Sequence, residues 1–247
     1  MIIDYFVNKY FNQQYDVNGD IAKSGDIIYP IFQHDEFQRR MNAKEFPHHD
    51  TTSVGNHILS VAANAYKIAK QIKQQNADFN IELPVIISNF HDLYELPWQN
   101  AKQEKNMFIN KHGFVHPIEA CINATTWYPS YFEDTKRKQI IIDGIIHHMF
   151  PFPVRVFDEK IEINNMEKFA GLDDSIKGSI ILSTQHKKMN GLSFCPSYSK
   201  EGRIVSYADK WVSLTKDASL RGWIACVTGE NANLDNYENG INRTRKK

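Results

Sequence analysis

Histidine stands directly before aspartate three times in this chain: in "QHDEF" (His34-Asp35), "HHDTT" (His49-Asp50) and "NFHDLY" (His91-Asp92). Such a pair offers one nitrogen and one anionic oxygen donor, the types that hard or borderline divalent ions accept. Only the third pair closes an apolar run, "PVIISNF". Other polar residues interrupt apolar faces in the same way. Asp209 lies four residues after Val205 and three before Val212, so a helix puts its carboxylate into a buried stripe, where it needs a cationic partner. His148 keeps register with Ile141 and Ile145, His57 lies one turn from both Val54 and Val61, and His91 follows Ile87 by one turn. A single inward histidine reads as a hydrogen-bonded core residue. Several segments that each turn a histidine or aspartate inward read instead as ligands converging on one ion site within a bundle.

The elements that position these residues are mostly helices. Between Thr51 and Gln75, Val54, Ile58, Val61, Ala65, Ile68 and Ile72 recur with a 3.6-residue period after a Thr/Ser cap. A second helix starts near Pro84, a third is expected to open at Pro117 in "HPIEACINATTWY", and a fourth covers "DTKRKQIIIDGIIHHMF" until Pro151 and Pro153 stop it. The fifth, "GRIVSYADKWVSLTKDA", is expected to turn Ile204, Val205, Ala208, Trp211 and Val212 inward. The fold class is therefore mainly all-α. Residues 1–46 read as a helical lead-in packing on a core of 47–235, and 236–247 read as a disordered tail. Residues 153–200, with the β-prone pieces "VRVF", "IEI" and "SIILST", read as a small mixed insertion between the last two core helices.

Composition narrows the class of partner. The 29 basic and 29 acidic residues cancel, so no global field favours duplex nucleic acid or an acidic membrane surface. Three widely spaced cysteines form neither a CxxC pair nor a disulfide framework, which points to a reducing, cytoplasmic compartment. The opening "MIIDYFVNKYF" is too short and too interrupted for a signal-peptide core, and no apolar run is long enough to span a bilayer.

The ordered blocks "HHDTTSVGNHILSVAANAYKIAK", "HDLYELPW", "HGFVHPIEA", "HHMFP" and "GRIVSYADKW" resemble the HD-domain metal-dependent phosphohydrolase superfamily, in particular a bacterial subgroup. They cover about residues 48–152 and 200–215. A His-Asp dipeptide alone is weak evidence; the order and spacing of all the blocks make the likeness specific. The resemblance implies an HD-type helical bundle in which His57, His91, Asp92 and Asp209 hold a first divalent ion. His116 and His148 match positions that allow a second ion, with Asp92 as the bridge. The ions implied are one or two of manganese, magnesium, cobalt, iron or nickel. The activity implied is hydrolysis of a small phosphate ester, a nucleotide or related phosphomonoester, by metal-activated water.

Around this set, Glu95 lies three residues after Asp92, where some HD phosphohydrolases carry a glutamate that handles the water, and it is the candidate general base. Pro97 stands where the subgroup has an acidic residue, which leaves the substrate pocket open. His147, Arg203 and Lys210 are candidates to face substrate, the last two as phosphate partners. His48, His49 and Asp50 sit before the first ligand helix, within reach of a pocket mouth, whereas His34-Asp35 reads as surface; His112 and His186 receive no role. Two alternatives keep the same residues: a di-iron oxygenase on this fold, or a non-enzymatic regulator that binds a nucleotide or a partner. The insertion suits either a lid or an interaction surface. The oligomeric state stays open.

Overall fold

The computed structural model describes residues 30–48, 53–97 and 108–214. Expectations for 1–29, His49 to Thr52 and the tail 236–247 lie outside the described residues. The chain is mainly helical. Helix α1 (Asp35–Met41) leads to α2 (Val54–Gln75), α3 (Glu82–Phe90), α4 (His112–Trp127) and α5 (Thr135–Ile146). A three-stranded patch and two short helices, α6 (Met166–Gly171) and α7 (Asp174–Ser183), come before α8 (Lys200–Leu214).

Local chemistry explains most boundaries. Ser53 caps α2 by accepting the amide proton of Asn56, and Asp134 caps α5 by accepting that of Arg137. Helix α3 is buried from Leu83 to Phe90, because α2, α5 and α8 all pack against it. Its two inward polar side chains fold back onto their own helix: Ser88 Oγ donates to Pro84 O and Asn89 Nδ2 to Val85 O. Helices α5 and α8 approach closely at a pair of glycines. A Cβ on Gly144 would lie 3.2 Å from Gly202 Cα and 2.8 Å from Ile87 Cδ1.

Four details differ from the sequence expectation. Helix α4 starts at His112, so Pro117 lies inside it rather than opening it, and the carbonyl four residues back loses its helical donor. Helix α5 stops at Ile146, with His147 as its C-cap, so His148 sits in the following turn and not on a helix face. "SIILST" belongs to helix α7 rather than to a strand. Asp173 caps that helix through the Ser175 amide, and Ile180 is buried where α7 packs on α5. Finally, Trp211 is 57% exposed and stacks on Tyr207, itself 59% exposed, along the outer face of α8.

The insertion is a compact annex. Strand β1 (Val154–Arg155) pairs antiparallel with β3 (Leu192–Ser193), which pairs antiparallel with β2 (Lys188–Met189). The β2–β3 hairpin turns through Asn190 and Gly191, both at positive φ (51° and 78°), the conformation an Asn-Gly turn favours. At the other end of the described chain, α1 anchors on the core through Arg40. Its buried guanidinium lies over the rings of Phe46 and Trp127 and donates to the carbonyls of Glu36 and Tyr94.

Candidate metal centre

The fold brings His57 from α2, His91 and Asp92 from the turn after α3, His116 from α4, His148 from the turn after α5 and Asp209 from α8 into one buried cluster. The turns matter, because a chain leaving a helix end can direct adjacent residues into the same space. His91 and Asp92 are neighbours in sequence, and both reach the centre.

Asp92 divides the cluster in two. Its Oδ2 lies 3.4 Å from His57 Nε2 and 3.6 Å from His91 Nε2, and its Oδ1 lies 3.5 Å from both His116 Nε2 and His148 Nε2. Asp209 Oδ1 joins the first group at 3.2 Å from His57 Nε2. Lys210 Nζ bridges the two sides, donating to Asp209 Oδ2 and to the carbonyl oxygen of His148, each at 2.8 Å. Ser213 Oγ donates to Asp209 Oδ1.

The histidine tautomers follow from backbone geometry. The Nδ1 atoms of His91, His116 and His148 lie 2.6, 3.0 and 2.7 Å from the carbonyls of Ser88, His112 and Ile145. A carbonyl only accepts, so each Nδ1 carries the proton and each Nε2 carries a lone pair. Yet His116 Nε2 and His148 Nε2 face one another at 3.2 Å. Two lone pairs at that distance repel unless a cation lies between them. Asp92 Oδ1, beside them, is buried without a hydrogen-bond donor. The donor set, the tautomers and the orphaned oxygen together fit a metal ion.

The electrostatics agree. Burial raises the Asp92 carboxyl, but the imidazoles of His91, His57, His116 and His148 outweigh it and hold the group well below the usual carboxylate range. Asp209 likewise stays ionised against its burial, chiefly through Lys210 and His57. Burial keeps His91, His116 and His148 neutral below the ordinary imidazole range, the state a ligand requires.

The other sequence candidates are placed differently. Glu95 Oε2 forms an ion pair at 2.6 Å with Lys168 of the insertion. His147 turns away from the centre: its Nε2 lies 2.9 Å from Ser183 O and 3.6 Å from Asp143 Oδ1, and burial lowers its pKa to about 4. Arg203 is exposed and donates to Ser197 O. Of the three His-Asp pairs, His34 is the N-cap of α1, accepting the Glu36 amide proton, and stacks on Trp127. His49-Asp50 lies outside the described residues.

Two residues near the centre carry no sequence assignment as ligands. His48 stacks on His57 with ring centroids 4.1 Å apart, and its Nε2 lies 3.9 Å from Asp92 Oδ2. His112 stacks on His116 at 5.1 Å. The i, i+4 spacing of His112 and His116 on one helix is the sequence signal for the second of these; His48 has none beyond its position before α2.

No family model, curated protein or solved structure matches the chain. Fold and site alone therefore define its class: a mainly helical protein with a buried histidine and aspartate cluster able to hold a metal ion. Among the described residues, no helix is long and apolar enough to cross a membrane.

Proposed function

We propose that this chain is a metal-dependent phosphohydrolase of the HD-domain type, acting on a small phosphate ester such as a nucleotide or related phosphomonoester. The observation that carries the reading is the division of Asp92. One carboxylate oxygen faces His57 and His91, with Asp209 completing that side, and the other faces His116 and His148. A bridging carboxylate between two histidine-rich half-sites suits a two-ion centre. The order of the sequence blocks supports the HD assignment, and with it the substrate class.

Divalent ions held by such a set supply a water of lowered pKa and a positive charge for a phosphoryl oxygen. The protein's part is to hold the geometry. Backbone carbonyls lock three imidazoles with Nε2 inward, and Lys210 ties Asp209 on one side to the His148 turn on the other. That placement supports a positioning role for Lys210 over direct contact with phosphate. Arg203 is occupied with Ser197 O, and His147 with the insertion, so neither gains support as a substrate contact.

The test purifies the protein without a chelating column, measures bound metals, and assays nucleotides and phosphomonoesters with manganese, magnesium, cobalt, nickel and iron. Phosphate release that depends on added metal, lost with metal content in the His91→Ala/Asp92→Ala double variant, is the expected result. Bound iron with oxygen consumption and no phosphate release would favour the di-iron oxygenase. A chain that binds nucleotide without turnover would favour a regulator.

A further inference from the structure

His112 is the first residue of α4 and is 8% exposed. Among the described residues neither of its ring nitrogens has a hydrogen-bond partner; Nδ1 is fully enclosed, and Nε2 is not. The ring lies flat against His116, with centroids 5.1 Å apart and planes 22° apart, and meets the edge of Tyr94 at 4.8 Å. It also lies within electrostatic reach of Asp92 and His48. His48 is placed in the same way on the other side, flat against His57 at 4.1 Å and 21°. Two imidazoles therefore flank Asp92, each stacked on a candidate ligand of a different half-site.

The tautomer separates His112 from the ligands. His91, His116 and His148 each donate their Nδ1–H to a backbone carbonyl, which leaves Nε2 with a lone pair. His112 Nδ1 has no such acceptor. An enclosed N–H without an acceptor is rarer in folded proteins than an enclosed lone pair, so the proton belongs on Nε2. His112 is then a hydrogen-bond donor at the edge of the cluster, and it wants an acceptor rather than a metal. No acidic residue lies in the first turn of α4, and no side chain caps it, so nothing negative from this helix end competes with an anion there.

We propose that His112 is a substrate-binding residue that donates its Nε2–H to a non-bridging oxygen of the phosphoryl group held over the centre. The proposal rests on the phosphohydrolase reading and names the side chain that grips the phosphate.

Inorganic phosphate is the probe. His112→Phe keeps the stacked ring and removes the donor, and His112→Gln restores a donor of similar reach. The expected result for His112→Phe is wild-type metal content, about tenfold weaker inhibition by phosphate, a shift of 1.4 kcal/mol, and a similar fall in kcat/KM. His112→Gln should recover part of both. If the phenylalanine variant does not fold, His112→Met makes the same comparison with a more adaptable side chain. Wild-type phosphate affinity in the donor-free variant overturns the proposal. So does loss of metal in step with loss of phosphate binding, which would mean that His112 acts by buttressing His116. If the wild-type protein binds metal but neither binds phosphate nor hydrolyses its esters, the phosphohydrolase reading itself fails, and that is visible before any variant is made.

Discussion

Asp92 and Glu95 are three residues apart and have opposite surroundings. Asp92 is enclosed by imidazoles and has one oxygen with no donor; Glu95 is half-buried and paired with Lys168. Its amide proton is directed at Glu119 Oε2, whose other oxygen accepts from Asn164 of the insertion. Glu95 thus belongs to a network that ties the His-Asp turn to α4 and the insertion. That pairing bears on its role as a general base. Glu95→Gln keeps the shape and loses the charge. The expected result is a kcat within about tenfold of wild type, a pH-rate profile with an unchanged acidic limb, and unchanged metal content. A true general base would cost about 10²- to 10⁴-fold and remove that limb. Steady-state kinetics across pH separates the two.

At the scale of elements, the insertion is fastened to the core by buried polar contacts rather than by an apolar seam alone. Asp143 of α5 accepts from Ser197 Oγ and from the Tyr198 amide at the exit of the insertion. Burial pushes its pKa from the ordinary 3.8 up to about 6, against the pull of those hydrogen bonds. A carboxyl with a raised folded-state pKa binds its proton more tightly folded than unfolded. Its stabilising contribution is complete below about pH 4 and is lost as pH rises through about 6. The distance between 3.8 and about 6 corresponds to at most about 3 kcal/mol. Asp143→Asn, permanently neutral, should therefore gain about 1–3 kcal/mol over wild type at pH 7–8, with the advantage shrinking toward pH 4. Urea unfolding at several pH values measures this. An equal difference at every pH would show that the carboxyl is not titrating in that range. Helix faces were legible here from periodicity, and caps from Ser53, Asp134 and Asp173. Helix ends were less so. The α5 pattern runs on through His148, while the chain turns after Ile146, because the period marks a buried side without marking where the backbone leaves its axis.

For the whole molecule, the cluster is a point where the core is held together only conditionally. Helices α2, α4 and α8 and the turns after α3 and α5 meet there through buried imidazoles and carboxylates set within the apolar core. A ligand that binds the folded chain alone stabilises it by about 2.7 kcal/mol when present at 100 times its Kd. Removing metal with a chelator should lower Tm by several degrees, and readdition should restore it; calorimetry before and after dialysis makes the comparison. Acid acts in the same direction. His91, His116 and His148 have folded pKa values below the ordinary 6.5, so the unfolded chain takes up protons first and stability falls as pH drops below 6.5. A chain whose Tm did not respond to chelation would argue against an ion at this centre.

The sequence by itself determined the helical class, the main helices and the inward placement of His57, His91, His148 and Asp209 (His116 entered only through the family resemblance). Those follow from local rules: a 3.6-residue period, capping side chains, and the cost of turning a lone His or Asp toward an apolar interior. Only the tertiary structure decided how the gathered residues divide. The separation of Asp92 Oδ1 from Oδ2, the turn of His147 toward Ser183, the pairing of Glu95 with Lys168 and the unbonded ring of His112 each depend on segments distant in sequence. Trp211 shows the same limit from the other side. Its place on α8 fits the apolar period, yet Ile204, Val205 and Ala208 of that stripe are buried while Trp211, at its edge, is exposed beside Tyr207. Periodicity tells which residues share a side of a helix. Which partner meets that side, and through which atom, is fixed only when the helices pack.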